Sequence, residues 1–439
     1  MHSVRPGTIL RSPAKDPVKE DRMHIKTLLN HVTKFKGFVF ESAQLDRTRN
    51  ALLVNVKPRK NTKPVCSKCQ STGPIYDHIS DREFWLPPIW SLLVVLRYKM
   101  RRVSCPQCNK VTVEQVPWAT GKSPITKQFA VFLAHWARKL SWKDTALSFH
   151  VSWDVVADAV SWAVKWGLER RNLDNITAIG VDEIQYKKGQ RYLTLVYQVD
   201  KHCRRLLWIG KNREKKTLYA FCDFLGEERC KSIEFICSDM WQPYIAVIAD
   251  KMSSALHVLD RFHIVANLNK AVDEVRRAEV KKLKDEGKPA YLKKSRWLFL
   301  KKKKRVRGKA RSRLRDLLTM NLRTVKAYLF KEDFDHLWTY KCPVWAGMFI
   351  DQWTRDVMRH RSLPELKKFA RTIRDHKDLI LNYFRAKKEY SSGTVEGFNN
   401  KAKLTVRKSY GFRSDTIREI ALYHTLGNLP LPEFTHRFL

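Results

Sequence analysis

Acidic residues are scarce in this chain. Asp and Glu number 44 against 85 Lys and Arg in 439 residues, a formal net charge of +41. A charge of that size opposes compaction and favours a polyanionic partner, because neutralised phosphates release condensed counterions; nucleic acid is the expected ligand. Long apolar runs are missing too. No stretch approaches the roughly 20 residues that cross a bilayer, and the opening Met1-His-Ser-Val-Arg-Pro-Gly lacks the apolar centre of a secretory signal. The expectation is a soluble, cytoplasmic, nucleoid-associated protein with no membrane partner. A disulfide framework is also unsupported: the nine cysteines are odd in number and four form two CxxC pairs, which suits a reducing compartment and thiolate metal ligands. Cys203, Cys222, Cys230, Cys237 and Cys342 show no ligand spacing and read as buried small hydrophobes. No coiled-coil seam is visible. What is plentiful is core material, 44% hydrophobic and 11% aromatic residues, enough for two to four folded domains and too much for a passive basic tail.

Residues 1–22 mix Pro, Lys and acids without periodicity and read as a disordered tail. Residues 23–120 read as a β/zinc-binding module. Phe38–Leu45 and Ala51–Val56 are short strands, and further extended segments lie between Cys66-Ser-Lys-Cys69 and Cys105-Pro-Gln-Cys108. Each CxxC supplies two thiolates from one tight turn, so Cys66, Cys69, Cys105 and Cys108 can complete a closed, structural Zn²⁺ site in a zinc-ribbon-like module. Residues 121–170 turn helical. One helix follows a Ser123-Pro124 start, a second covers Lys143–Phe149, and Ser152 offers an N-cap to a third over Trp153–Trp162. Helix, short turn, capped helix is the layout of a helix-turn-helix, though any three-helix bundle gives a similar pattern.

From 171 to 264 the pattern becomes three strands, a helix, a strand, a helix and a last strand. This is the order of a ribonuclease-H-like α/β core. Asp182 lies on the first strand, in Ile176-Thr-Ala-Ile-Gly-Val-Asp182-Glu-Ile, and Asp239 just past the fourth, in Ile233-Glu-Phe-Ile-Cys-Ser-Asp239. Glu396 follows much later, in Ser391-Ser-Gly-Thr-Val-Glu396-Gly-Phe-Asn-Asn-Lys, at a helix start near Ser392. Two Asp on strands and one Glu on a helix can gather around two Mg²⁺ or Mn²⁺ ions. Such a centre activates an attacking oxygen and stabilises a leaving one in phosphoryl transfer.

Residues 265–388 read as an all-helical insertion and 389–439 as the carboxy-terminal helices of the core, making a multidomain α+β protein. The insertion carries the basic run Lys301, Lys302, Lys303, Lys304, Arg305 and Arg307, suited to phosphate contact, and Trp297, Trp338, Trp345 and Trp353, which read first as core aromatics. After Glu396, Asn399 and Lys403 recur at helical spacing and are candidates for contact with a DNA backbone, with solvent exposure the competing reading.

The ordered set of two CxxC pairs, a helix-turn-helix, Gly180-Val-Asp182-Glu-Ile, Cys237-Ser-Asp239-Met-Trp and Val395-Glu396-Gly-Phe-Asn-Asn-Lys resembles the DDE transposases of bacterial insertion sequences, specifically the ISL-three family. The resemblance runs from about Cys66 to Gly411. It implies a ribonuclease-H-like core with a helical insertion before the catalytic Glu, Asp182, Asp239 and Glu396 as catalytic metal ligands, and Mg²⁺-dependent cleavage and strand transfer at terminal inverted repeats of double-stranded DNA. It also implies a supporting role for Asp260 and His263 of Asp260-Arg-Phe-His263, where His263 otherwise reads as a packed helix residue. A Trp of the insertion near the DNA is implied as well, with no choice among the four. Assembly of two ends implies a homodimer or higher homo-oligomer. The rival readings are a non-enzymatic zinc-containing DNA-binding regulator on the same scaffold, and a nuclease that cuts by DNA shape without joining ends.

Overall fold

The computed structural model describes residues 25–187, 189, 191–388, 393–408, 412 and 414–432. The tail 1–22 lies outside them. Two compact units divide between Ala163 and Val164, the second running to Pro430.

The first unit begins with α1 (Ile25–Val32) and the strands β1 (Phe38–Asp46), β2 (Ala51–Pro58), β3 (Ile75–Ile89), β4 (Leu92–Cys105) and β5 (Lys110–Val113), ordered β1-β2-β4-β3 with β5 on β4. Alternating apolar positions bury Phe38, Phe84 and Tyr98 around Trp118, whose ring they meet edge-on at 4.9, 5.8 and 5.4 Å between centroids. One ion pair is buried here, Arg101 with Glu114 at 2.7 Å. The Glu114 carboxylate also accepts from Tyr98 Oη and the Arg101 N–H, so its remaining lone pairs are satisfied.

Three helices follow, α2 (Lys127–Lys139), α3 (Trp142–Ser148) and α4 (Trp153–Arg170). Each starts on a hydroxyl cap: Thr126 accepts from the Phe129 N–H, Ser141 from Asp144 and Ser152 from Val155. The first helix therefore starts later than the expected Ser123-Pro124. Pro124 O and the Thr126 N–H are engaged by the Trp85 backbone of β3, which keeps that stretch extended.

The second unit is built on β6 (Ala178–Lys187), β7 (Arg191–Val199), β8 (Arg204–Lys211), β9 (Phe235–Ser238) and β10 (Leu256–Leu259), in the order β10-β9-β6-β7-β8. β6, β7 and β8 are antiparallel neighbours, whereas β9 and β10 run parallel to β6. One face packs on α5 (Lys215–Leu225), α6 (Glu227–Lys231) and α7 (Gln242–Lys251), through Leu218, Phe221, Tyr244 and Val247.

The chain then leaves the sheet for α8 (Arg261–Asp285), α9 (Arg296–Leu300), α10 (Lys309–Leu318), α11 (Arg323–Phe334), α12 (Pro343–Arg359), α13 (Pro364–Asp375) and α14 (Lys377–Arg385), which share one core. No cap side chain serves α11, and buried Glu279 of α8 replaces it, accepting from the Arg323 and Thr324 N–H groups at 2.7 and 2.8 Å. The helical segment is tied to the sheet edge by Asn382 of α14, whose Nδ2 donates to His257 O of β10 at 2.8 Å. Of the four tryptophans read as core, Trp338 and Trp353 are buried, but Trp297 and Trp345 stand 62% and 59% exposed. On α12 the inward positions are Ala346, Ile350 and Trp353, a three- and four-residue spacing that leaves Trp345 outside. On α9, Leu298 and Phe299 take the inward places.

Finally α15 (Gly393–Lys408) and α16 (Asp415–Leu426) cover the other face of the sheet through Val395, Ala402, Leu422 and Leu426. Close approach of α15 to β6 depends on Gly180, where a Cβ would overlap Val395 Cγ2. Gly180→Ala is expected to destabilise the protein by about 1–3 kcal/mol through overpacking. Val395→Ala in the same chain should recover part of that loss in urea unfolding, an effect absent if the two residues do not touch.

Candidate active site

Strand register builds the site. β6 pairs β9 with Gly180 opposite Cys237, so Asp182 and Asp239 are each two residues further along parallel neighbours. β9 pairs β10 with Ser238 opposite Leu259, which brings Asp260 alongside Asp239. Three aspartates thus stand at one level, Asp182 on β6 and Asp239 and Asp260 just past the ends of the parallel strands β9 and β10. They lie where the chain order of the sheet reverses between β6 and β9, the place where open α/β sheets form their ligand crevices.

Alternation along β6 sends Asp182 and Glu183 to opposite faces. Asp182 faces α15. Its Oδ2 accepts from Asn399 Nδ2, its Oδ1 accepts from the Glu183 N–H at 2.7 Å, and Asn399 Oδ1 in turn accepts from Tyr197 Oη at 2.8 Å. Burial raises the Asp182 carboxyl above its ordinary range, with Asp260 and Asp239 adding to the effect. Glu183 faces α7 and is pushed up to about 7, by burial first and then by the charge of Asp239. Asp239 Oδ1 accepts from the Trp241 N–H at 2.9 Å, and its Oδ2 from Arg213.

Glu396 lies on the first turn of α15, between Val395 and Asn399, both buried; its own side chain is exposed at the margin of the packed face. Among the described residues of this unit, Asp182, Asp260 and His263 bring their ligand atoms within 4.8 Å of one another, a set that includes neither Asp239 nor Glu396. Asn399, expected to reach DNA, is 4% exposed and holds Asp182 instead, because its place on α15 points at the sheet. Lys403, one turn on, is exposed.

Residues 179–417, from β6 into α16, match the model of the ISL3 type of DDE transposase, described as a transposase. The chain belongs to the ISL3 family of DDE transposases. It is 28% identical over 365 residues to the transposase for insertion sequence element IS1001 of Bordetella parapertussis, covering 82% of this chain and 88% of that protein. It is 27% identical over 409 residues to the transposase for IS1557 of Mycobacterium tuberculosis, covering 86% and 89%.

In this transposase Asp260 also caps α8, accepting from the Phe262 N–H at 2.6 Å, and its Oδ2 lies 3.1 Å from His263 Nδ1. That partner pushes the imidazole up to about 9. The basic run between α9 and α10 forms no continuous helix. It is an exposed strap with a short 3-10 turn at Lys303–Arg305, anchored by buried Val306 and by Lys331 Nζ, which donates to Lys301 O at 3.2 Å. Lys301, Lys302, Lys303, Lys304, Arg305 and Arg307 are all exposed, and Lys302 pairs with Asp335 at 2.8 Å. Among the described residues no helix is long and apolar enough to cross a membrane.

In the first unit Cys66, Cys69, Cys105 and Cys108 hold their sulfurs within 4.8 Å of one another, with Cys66 and Cys108 at 4.0 Å and Cys69 and Cys105 at 3.4 Å. A tetrahedron with metal–sulfur bonds of about 2.3 Å has edges of about 3.8 Å, so the cluster is close to ligand geometry. The Thr112 hydroxyl, with the N–H groups of Cys69 and Lys68, brings the Cys66 thiol down to about 6. Cys105-Pro-Gln-Cys108 repeats the knuckle, its Cys108 N–H reaching Cys105 Sγ at 3.4 Å.

The sequence alone did not single out Glu183, Arg213 or Trp241. Glu183 and Trp241 stood beside the two aspartates in the quoted motifs, whereas Arg213 had no local signal. For the Asp260–His263 pair the sign of linkage is defined. A folded pKa raised from the ordinary 6.5 gives stability that is fully present below about 6.5 and is lost as pH rises through about 9. The gap in melting temperature between wild type and His263→Gln should therefore narrow from pH 6.5 to 9.5; a constant gap would count against the pair.

Proposed function

We propose that this transposase binds the terminal inverted repeats of its insertion sequence and carries out DNA cleavage and strand transfer with Asp182, Asp239 and Glu396 as its catalytic carboxylates. The observation that carries the reading is the register of β6 on β9, which aligns Asp182 with Asp239 just past the end of β9, with the helix bearing Glu396 packed on β6. The order β10-β9-β6-β7-β8, with three antiparallel strands leading into two parallel ones, supports a ribonuclease-H-like core.

The donor set fits hard divalent cations: carboxylate oxygens dominate, Asp182, Asp260 and His263 are close enough to share an ion, and burial raises the Asp182 carboxyl, which a bound cation would offset. Asp182, Asp239 and Glu396 would hold two Mg²⁺ or Mn²⁺ ions, whose chemistry is polarisation of the attacking and leaving oxygens in an in-line transfer. Asn399 fixes the Asp182 carboxylate, the Trp241 N–H fixes Asp239, and Asp260 and His263 support the same edge. The exposed strap Lys301–Arg307 and Lys403 take backbone phosphates, a contact weakened by salt.

In the first unit the four cysteines would hold a structural Zn²⁺, leaving no open position for catalysis. The capped helices α2, α3 and α4 support a helix-turn-helix, but exposed Asp154 and Asp158 on α4 make Lys139 and Lys143 of α2 and α3 the better phosphate contacts. Binding of two ends calls for at least a homodimer.

The test uses labelled DNA from the borders of the reading frame. Asp182→Asn, Asp239→Asn and Glu396→Gln should each lose cleavage by at least about a hundredfold while still binding the ends. Folded variants that cut like wild type would sink the triad, and cleavage without joining would favour the nuclease reading. Elemental analysis of wild type should find one zinc per chain, and Cys66→Ser with Cys105→Ser should lose it and destabilise the first unit by several kcal/mol, on the order seen for structural zinc sites.

A further inference from the structure

Arg213 follows the end of β8 and occupies a position that the proposed chemistry does not explain. Its guanidinium reaches across the sheet edge to Asp239 Oδ2, and its Nε lies 3.1 Å from Glu183 Oε1. The ring of Trp241 stacks beneath it, 4.7 Å from Cζ to centroid. The Arg213 and Glu183 side chains are 33% and 8% exposed. The short contact to Glu183 is poorly aligned, since Arg213 Nε and Glu183 Oε1 are both buried without a hydrogen-bond partner among the described residues. The pair is held together by charge rather than by a directed bond.

Four carboxylates, those of Asp182, Glu183, Asp239 and Asp260, lie near one another at this edge, and His263 serves Asp260. Arg213 lies on the Asp239 side and takes Oδ2, while Oδ1 is already taken by the Trp241 N–H, so a divalent ion held by Asp239 would meet the charge of Arg213.

We propose that Arg213 is a positioning residue that acts as an internal counter-ion. It holds the Asp239 carboxylate in place beside Trp241 and would compete with a divalent cation for that carboxylate. The inference rests on the reading of Asp239 as a metal ligand. It differs from a simple structural role in the direction of its effect on ion affinity. Removing a competing unit charge strengthens cation binding, whereas loosening a scaffold weakens it.

The experiment is a Mn²⁺ titration of the full-length, zinc-loaded protein followed by electron paramagnetic resonance, with cleavage of end DNA measured on the same preparations. Arg213→Met should bind Mn²⁺ more tightly, by roughly five- to tenfold given partial solvent screening, and yet cleave more slowly because Asp239 is no longer held. Arg213→Lys keeps the charge without the planar fork and should restore affinity most of the way to wild type. Equal or weaker Mn²⁺ binding by both Arg213 variants overturns the proposal. Asp239→Asn separates the two ideas. If it binds Mn²⁺ like wild type, the reading of Asp239 as a ligand fails; if it loses Mn²⁺ while Arg213→Met shows no gain, only the role of Arg213 fails.

Discussion

Repulsion among carboxylates is the constraint around which the second unit is organised. Asp182, Glu183, Asp239 and Asp260 feel one another's charge at one half-buried sheet edge. Such a cluster persists only where each group has a partner or keeps its proton. Asn399 and a backbone N–H hold Asp182, the Trp241 N–H and Arg213 hold Asp239, and His263 and the start of α8 hold Asp260. Glu183, whose contact to Arg213 is poorly aligned, is raised to about 7. These partners come from β6, the turn after β8, α8, α15 and the loop before α7, so the elements of the sheet and its two faces are bound to a single charge problem.

The same constraint gives meaning to details that are otherwise unremarked. Gly180 is small so that α15 can come near enough for Asn399 to reach Asp182. Trp241 directly follows Asp239-Met because its amide and its ring secure, respectively, the carboxylate and the arginine that binds it. The long helical segment leaves the sheet immediately after Asp260 and is fastened back to β10 by Asn382, so the chain can travel far from the site and still return α15 to β6.

Much of this was legible in the linear chain. Short apolar-rich segments such as Tyr192-Leu-Thr-Leu-Val-Tyr-Gln-Val marked the strands of the second sheet, because burial on both faces demands apolar side chains there. Asp182 and Asp239 stood out as acids closing such runs. The two CxxC pairs declared themselves by spacing alone. Helix starts were less certain: a Ser-Pro pair looked like the start of α2, but pairing with Trp85 delayed it to the Thr126 cap. Whether Trp297 and Trp345 faced inward was not readable either, since it depends on which stripe of α9 and α12 the neighbouring helices cover.

Composition, spacing and local periodicity settle the basic charge, the thiol knuckles, the order of strands and helices and the identity of the acids, because each is a property of the linear chain. Tertiary structure alone decided which acids meet and what neutralises them. Asp260 aligns with Asp239 only through strand register, Asn399 turns from DNA candidate to holder of Asp182 only through the packing of α15, and Arg213 joins the site from the end of a strand three places away in the sheet. Contacts between residues far apart in the chain carry no local signature, and electrostatic balance is a property of the assembled edge.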